Sequence, residues 1–236
     1  MIIIYQFGKV GSSTIKSSLD KFGVKSKHIH RLSFTKYEVK PNLINLLRKI
    51  PIRFLIFWET RIRNKKIKII TGYRDPLPRN ISAFFQSLNY FVPDKNNHHP
   101  KGLIQAFENE SNLMKTPVDW FNDEFLKFCN IDITKYVFDK KKGFTIISNK
   151  YFDVFIYRLD KLSNLELEIN KFIGLNSFKL INANIAEKKW YNRLYNDFKK
   201  EYKPNEKTLN DVYSNEVIKW FYSSEEIEKL KSKWLN

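Results

Sequence analysis

The 236-residue sequence contains one cysteine, Cys129. A lone thiol excludes a disulfide within the chain and argues against a cysteine-based zinc site, and it suits a reducing compartment. Long hydrophobic runs are also missing. No apolar stretch approaches the ~20 residues that a membrane span requires. The first residues lack the basic start, apolar middle and small-residue cleavage site of a secretory leader. The expectation is a soluble, cytoplasmic protein, at most peripheral to a membrane. No internal repeat and no Pro/Gly/Ser-rich linker divides the chain, so one domain over residues 1–236 is the economical reading.

Acidic residues are scarce as well: 25 Asp and Glu stand against 42 Lys and Arg, a net charge of +17. That excess favours polyanionic partners, whether nucleic acid, an anionic membrane surface, or phosphorylated and sulfated small molecules. A general Lys- and Asn-rich bias would give the same excess, so charge alone selects none of them.

Aromatic side chains are plentiful, with 20 Phe and 12 Tyr. Disordered chains have few aromatics, and a chain of this length can bury roughly 70% of the surface it exposes when unfolded. The order of elements is legible from periodicity. Ile2 to Phe7 is a short, nearly continuous apolar run, as in a strand covered on both faces. Ile15, Leu19 and Phe22 then recur at helical spacing, and Gly23 is a plausible stop. "KSKHIHRLSF" suits a second short strand. Asn42 to about Arg63 reads as helical, interrupted at Pro51. "KIKIITGY" is a clear strand, and "RDPLPRNISAFFQSLNYF" turns to a helix with Ile81, Phe84, Phe85 and Leu88 on one face. "GFTIIS" and "DVFIYRL" are later strands. "VPDKNNHHPKG" reads as an exposed loop in which His98 and His99 are solvated. Three helical stretches follow, "NLELEINKFIGL", "AEKKWYNRLYNDFKKEY" and "SSEEIEKLKSKWL". The last begins at Ser223 or Ser224, with Glu226 placed for a capping box. Strands alternating with helices imply an α/β fold: a single three-layer domain, a mainly parallel sheet and a helical C-terminal half.

Between the first strand and its helix lies "FGKVGSST". Gly8 and Gly11 permit a tight turn and close approach of backbone to a ligand. Amides of Gly11 to Thr14 at a helix N-terminus favour an anion. The hydroxyls of Ser12, Ser13 and Thr14 add donors, and Lys9 adds a full charge. The order differs from the nucleotide-triphosphatase loop, in which Lys follows the last Gly. The segment alone fits two readings, an anion site or a capped helix with a solvated lysine. "YRDPLPRNISAFF" supplies a second candidate on the same sheet edge. Arg74 ends a strand, and Arg79 and Ser82 lie one helical turn apart. Arg and Ser so placed can hold a phosphate together; the alternative is a local Arg74–Asp75 salt bridge.

Together these motifs resemble those of the sulfotransferases that use 3′-phosphoadenosine 5′-phosphosulfate (PAPS). The resemblance implies that Lys9, Val10, Gly11, Ser12, Ser13 and Thr14 hold the 5′-phosphosulfate, and that Arg74, Arg79 and Ser82 hold the 3′-phosphate. "YNRLYNDFK" and "YSNEVIKWFYSSEEIEKLKSKW" look similar to capsular polysaccharide synthesis proteins of the same superfamily. The implied acceptor is a carbohydrate, and no metal is called for. The Arg-Lys-Gly loop that closes over the nucleotide in many members is missing; Lys188, Lys189 or the basic "KKEYKP" could substitute. "HIHRLSF" is similar to the His-x-His segment of hexuronic-acid 2-O-sulfotransferases, which makes His30 the implied general base and His28 its support. Two polar residues on a surface strand are the alternative, and Glu59 is a second candidate base. Eight Lys/Arg and one Glu between Arg48 and Lys68, interleaved with Phe54 to Trp58, suit either an anionic membrane or glycan, or a core helix with a cationic outer face. Two other functional classes fit less of this pattern: a basic nucleic-acid-binding protein, which would use stacking aromatics in a groove, and a nucleotide kinase. No nucleic-acid partner is expected.

Overall fold

A computed structural model describes residues 1–32, 43–181 and 189–235. Its framework is a five-stranded sheet in the order β2-β1-β3-β5-β4, built from β1 (Ile2–Tyr5), β2 (Ser26–Ile29), β3 (Ile67–Tyr73), β4 (Phe144–Ser148) and β5 (Phe152–Arg158). The first four strands in that order are parallel, and only β4 runs antiparallel, on the edge. Every strand expected from the sequence forms.

The unbroken apolar run of β1 has a direct cause. Ile2 and Ile4 point into one core with Ile15 and Leu19 of α1 (Ser12–Lys21) and with Ile169 of α8 (Glu166–Ile173). Ile3 and Tyr5 point into the other core, with Ile81 and Phe84 of α3 (Pro76–Gln86), Phe107 of α5 (Pro100–Asn109) and Phe198 of α9 (Asn192–Glu201). A strand covered on both faces has no polar side to alternate with.

The second core is closed by elements that the sequence pattern did not announce. α5 is followed by α6 (Ser111–Asp119), a π-helical turn at Trp120–Phe125 and α7 (Leu126–Cys129). Trp120, Phe121 and Phe125 are buried there, in edge and tilted contacts with Tyr5 and Phe7. The expected loop Val92–Gly102 is corrected in part. Val92 is buried, His99 caps α5 by accepting from the Gly102 amide, and His98 Nε2 lies 2.8 Å from the Val92 carbonyl. His99 is exposed as expected while its ring caps the helix, and His98 is half-buried.

The expected long helix before Pro51 continues through it as α2 (Leu43–Phe57), then winds into a π turn at Trp58–Ile62. The C-terminal half is helical as expected, with α10 (Glu206–Tyr213), α11 (Glu216–Phe221) and α12 (Ser224–Leu235) after α9. The capping box forms at Ser223: its hydroxyl accepts from the Glu226 amide, and its own amide donates to the Glu226 carboxylate at 2.9 Å.

In this strand order the chain leaves β1 to one side for β2 and returns on the other for β3. The carboxyl ends of β1 and β3 therefore straddle a topological switch point, where open α/β sheets bind ligands. Both candidate motifs sit there.

Candidate functional site

The loop after β1 is held from three directions. Tyr157 of β5 donates its hydroxyl to the Val10 carbonyl at 2.7 Å. Its ring lies over Gly72, where an added Cβ would come within 2.5 Å of it, so β3 needs a glycine at this point. From beneath, buried Arg79 donates from Nε to the Gly8 carbonyl at 3.0 Å, with its guanidinium over the Phe7 ring. Gly11, with φ of 93°, forms the N-cap of α1, and a Cβ there would also meet Leu159 at 2.8 Å. Only glycine tolerates both constraints.

Lys9 has no such excuse. Its φ is 73°, a left-handed conformation that costs a non-glycine residue energy. Such strain persists only where the surroundings impose it, and it concentrates at ligand-binding positions. Here it accompanies a half-buried ammonium facing a cavity of about 310 Å³, lined by Lys9, Gly11, Thr14, Arg74, Ser82 and Lys189, with Leu159, Tyr191, Asn192 and Tyr195 completing the wall. No carboxylate lines this cavity among the described residues. Burial, then the charges of Lys189, Arg74 and Arg79, lowers the Lys9 ammonium from 10.5 to about 8. Arg74 reaches across the cavity floor, 3.4 Å from both the Lys9 carbonyl and the Ser82 hydroxyl. The first amides of α1 have no acceptor within the helix. Together these groups form a concave site with several cationic donors and no counter-charge from its own described wall.

The sequence-predicted residues divide by position. Lys9, Gly11, Thr14, Arg74 and Ser82 converge on the cavity. Val10 and Ser12 have buried side chains and could offer only backbone amides, and Ser13 is exposed. Arg79 is a correction in role: it lies under the loop as a brace, its Nη1 bonded to Asn80 at 3.1 Å, and it is not part of the cavity wall. The alternative Arg74–Asp75 salt bridge gives way to a different arrangement. Asp75 accepts the Tyr213 hydroxyl at 2.6 Å and caps α3 through the Leu77 amide, and burial raises its carboxyl to about 6. Lys189 does line the cavity, whereas Lys188 lies outside the described residues and Lys199, Lys200 and Lys203 of "KKEYKP" are exposed away from it.

A second cavity of about 560 Å³ adjoins the first and shares Arg74 and Leu159 with it. Its wall combines Pro78, Tyr222 and Leu230 with Lys229 and Lys233, and with three carboxylates, Asp75, Asp160 and Glu226, the last two paired with Arg158. The two C-terminal stretches singled out in the sequence thus each face a cavity: Tyr191 to Tyr195 the first, Tyr222 to Lys233 the second.

His28 and His30 line a third cavity, of about 660 Å³, between the end of β2 and Lys49, Pro51, Ile52 and Leu55 of α2. Their rings meet edge to face at 4.6 Å. His30 Nδ1 is 2.7 Å from the Gln6 carbonyl, which can only accept, so Nδ1 carries the proton and Nε2 presents a lone pair in the neutral ring. The His30 backbone is fixed in turn: its carbonyl accepts the Trp120 indole N–H at 2.8 Å, and the Leu32 amide donates to the buried Glu124 carboxylate, which also takes the Tyr5 hydroxyl at 2.5 Å. Although its ring keeps an exposed face, partial desolvation against its neighbours, then the charges of His30 and Lys16, lowers His28 to about 4. Glu59, the other candidate base, is paired with Arg63 at 2.7 Å and lines none of these three cavities.

Sequence reasoning missed Tyr157, Trp120 and Glu124, which position the loop and His30. An aromatic-rich composition was the only signal for Tyr157 and Trp120, and Glu124 had none. No protein family, curated protein or solved structure matches the chain.

Proposed function

We propose that the protein is a sulfotransferase that moves a sulfuryl group from PAPS to a carbohydrate hydroxyl, of a surface or capsular glycan or its precursor, in the cytoplasm. The observation that carries this reading is the gathering of Lys9, Arg74 and Lys189 around one cavity at the N-terminus of α1, with the Lys9 ammonium lowered to about 8. Such a site is short of an anion. PAPS has two anionic ends, and the residues present fit both: the α1 amides with Lys9 and Thr14 suit one, and Arg74 with Ser82 the other. In the adjoining cavity Pro78, Tyr222 and Leu230 offer apolar surface for a nucleoside, beside the Asp75, Asp160 and Glu226 carboxylates that could accept from its amino and hydroxyl groups.

Bound donor supplies a sulfuryl group already attached to a phosphate leaving group. Lys9 neutralises charge growing on the oxygen that stays with phosphate, as preorganised cations do in related transfers. His30 Nε2 takes the acceptor hydroxyl proton while that oxygen bonds to sulfur and the sulfur–phosphate oxygen bond breaks. His28, held neutral beside it, adds no repulsion to the imidazolium that results. Incubation with radiolabelled PAPS and a panel of capsular and surface glycans tests the proposal. Label should move to at least one glycan with equal release of 3′,5′-adenosine bisphosphate (PAP). Transfer of phosphate from ATP under the same conditions, with no sulfate transfer to any glycan, would contradict it.

A further inference from the structure

The side of α2 that faces away from the sheet is apolar. Of thirteen exposed large hydrophobic side chains among the described residues, five belong to this one helical segment: Ile50, Phe54, Phe57, Trp58 and Ile62. They recur at i, i+4, i+7, i+8 and i+12 and so form a single outward stripe. The opposite side already meets the needs of the fold, because Ile52, Ile56 and Thr60 face inward. Packing in a soluble domain requires one apolar stripe per surface helix, so the second needs another reason. Phe54, at 63% exposure, stacks beside Trp58 and does not tuck under a neighbour.

Charge identifies the occupant. The stripe runs into Arg61, Arg63, Lys65 and Lys66, all exposed. Arg61 is held at the surface by stacking on Tyr151 at 3.9 Å. Two acids stand beside these cations: Glu59 pairs with Arg63 at 2.7 Å and Asp153 with Lys66 at 3.1 Å, which leaves Arg61 and Lys65 without a carboxylate partner among the described residues. A second copy docked with its helix parallel would bring these cations together, and in either orientation the contact would join two chains that each carry +17. A nucleic acid would meet aliphatic Ile50 and Ile62 where it wants donors and stacking rings. An apolar stripe with an interfacial Trp, ending in a run of exposed cations that outnumber the acids beside them, matches a helix lying in the headgroup layer of an anionic bilayer. We propose that α2 and the turn after it dock the protein on an anionic membrane surface.

Co-sedimentation of the full chain with vesicles tests this. Vesicles of equal parts phosphatidylglycerol and phosphatidylcholine should bind at least tenfold more protein than phosphatidylcholine alone, and added salt should weaken the binding. The variant Phe54→Ser/Trp58→Ser should lose at least tenfold in partitioning, as should Arg61→Glu/Lys65→Glu. Ile50→Ser/Ile62→Ser provides an independent apolar pair should the first misfold, and an unchanged thermal melt identifies folded variants. Three results would overturn the proposal: no binding to the anionic vesicles, full binding by both folded apolar variants, or a solution dimer that the apolar variants dissociate.

Discussion

Two neighbouring parts of one sheet edge are built on different terms. At the ends of β1 and β3, the cavity around Lys9 is braced by buried groups. Arg79 supports Gly8, Tyr157 supports Val10, and Gly11 and Gly72 leave room that any side chain would fill. The backbone there accepts strain at Lys9 and repulsion among cations. At the end of β2, His28 and His30 sit on an exposed edge of the sheet, against α2, in a cavity of their own. Only the His30 backbone and one ring nitrogen are fixed. The first region gathers Lys9, Arg74 and Lys189 around a braced loop. The second is organised to present one lone pair beside open space. Under the proposed transfer, the first region would hold the donor and the second would face the acceptor.

The comparison can be broken at several points, and the largest expected effect lies in the second region. His30→Ala should lower turnover by roughly 10²–10⁴-fold, the usual contribution of a general base, and leave PAP affinity unchanged in a calorimetric titration. Full activity would remove His30 from the mechanism. Lys9→Gly should weaken PAP by roughly 10–100-fold, the range for hydrogen bonds to charged groups. Glycine relieves the φ of 73°, so this variant should melt no lower than the parent, and lost affinity could not be blamed on unfolding. Arg79→Met should instead cost stability, roughly 2–4 kcal/mol by denaturant titration, because the loop loses its buried brace. Arg74→Met should cost affinity with little change in stability. If Arg74 and Arg79 behaved alike, the distinction between cavity wall and brace would fail.

Smaller effects follow from protonation. The Lys9 ammonium is lowered from 10.5 to about 8. Since the folded value lies below the unfolded one, carrying the proton costs stability in full below about pH 8, and that cost disappears as pH rises towards 10.5. The parent should therefore gain on Lys9→Gly in thermal stability over that window. PAP affinity should move the other way, falling by up to tenfold per pH unit above about 8 as the free protein gives up the proton that the anion requires. Lys189→Ala should move this break to higher pH and weaken PAP only a few-fold, because it removes the neighbouring charge that acts most strongly on Lys9.

The sheet and both phosphate-type motifs were legible because strand, turn and helix follow one another within a few residues, so periodicity and turn chemistry suffice. Arg74 and Ser82 could be paired for the same reason. Arg79 was misjudged because helical spacing places it beside Ser82 in sequence, whereas burial turns its guanidinium under Gly8. The helices from Pro100 to Cys129 left no clear signature: they are short, broken by a π turn, and carry aromatics on several faces because they fill the space under β1. Trp120 and Glu124 reach His30 and Leu32 across about 90 residues of chain, a relation that no local pattern contains. Lys189 was one of several interchangeable basic residues until the fold placed it opposite Lys9.

The central claim is that the Lys9 cavity and its neighbour hold a nucleotide with two separate anionic ends. Titrating the protein with PAP, AMP and ATP with Mg²⁺ in a calorimeter tests this most directly. The account predicts that PAP binds at least tenfold more tightly than AMP or ATP, and that Lys9→Gly and Arg74→Met each reduce that preference. Binding of ATP with Mg²⁺ in preference to PAP, or equal affinity for PAP and AMP, would contradict it.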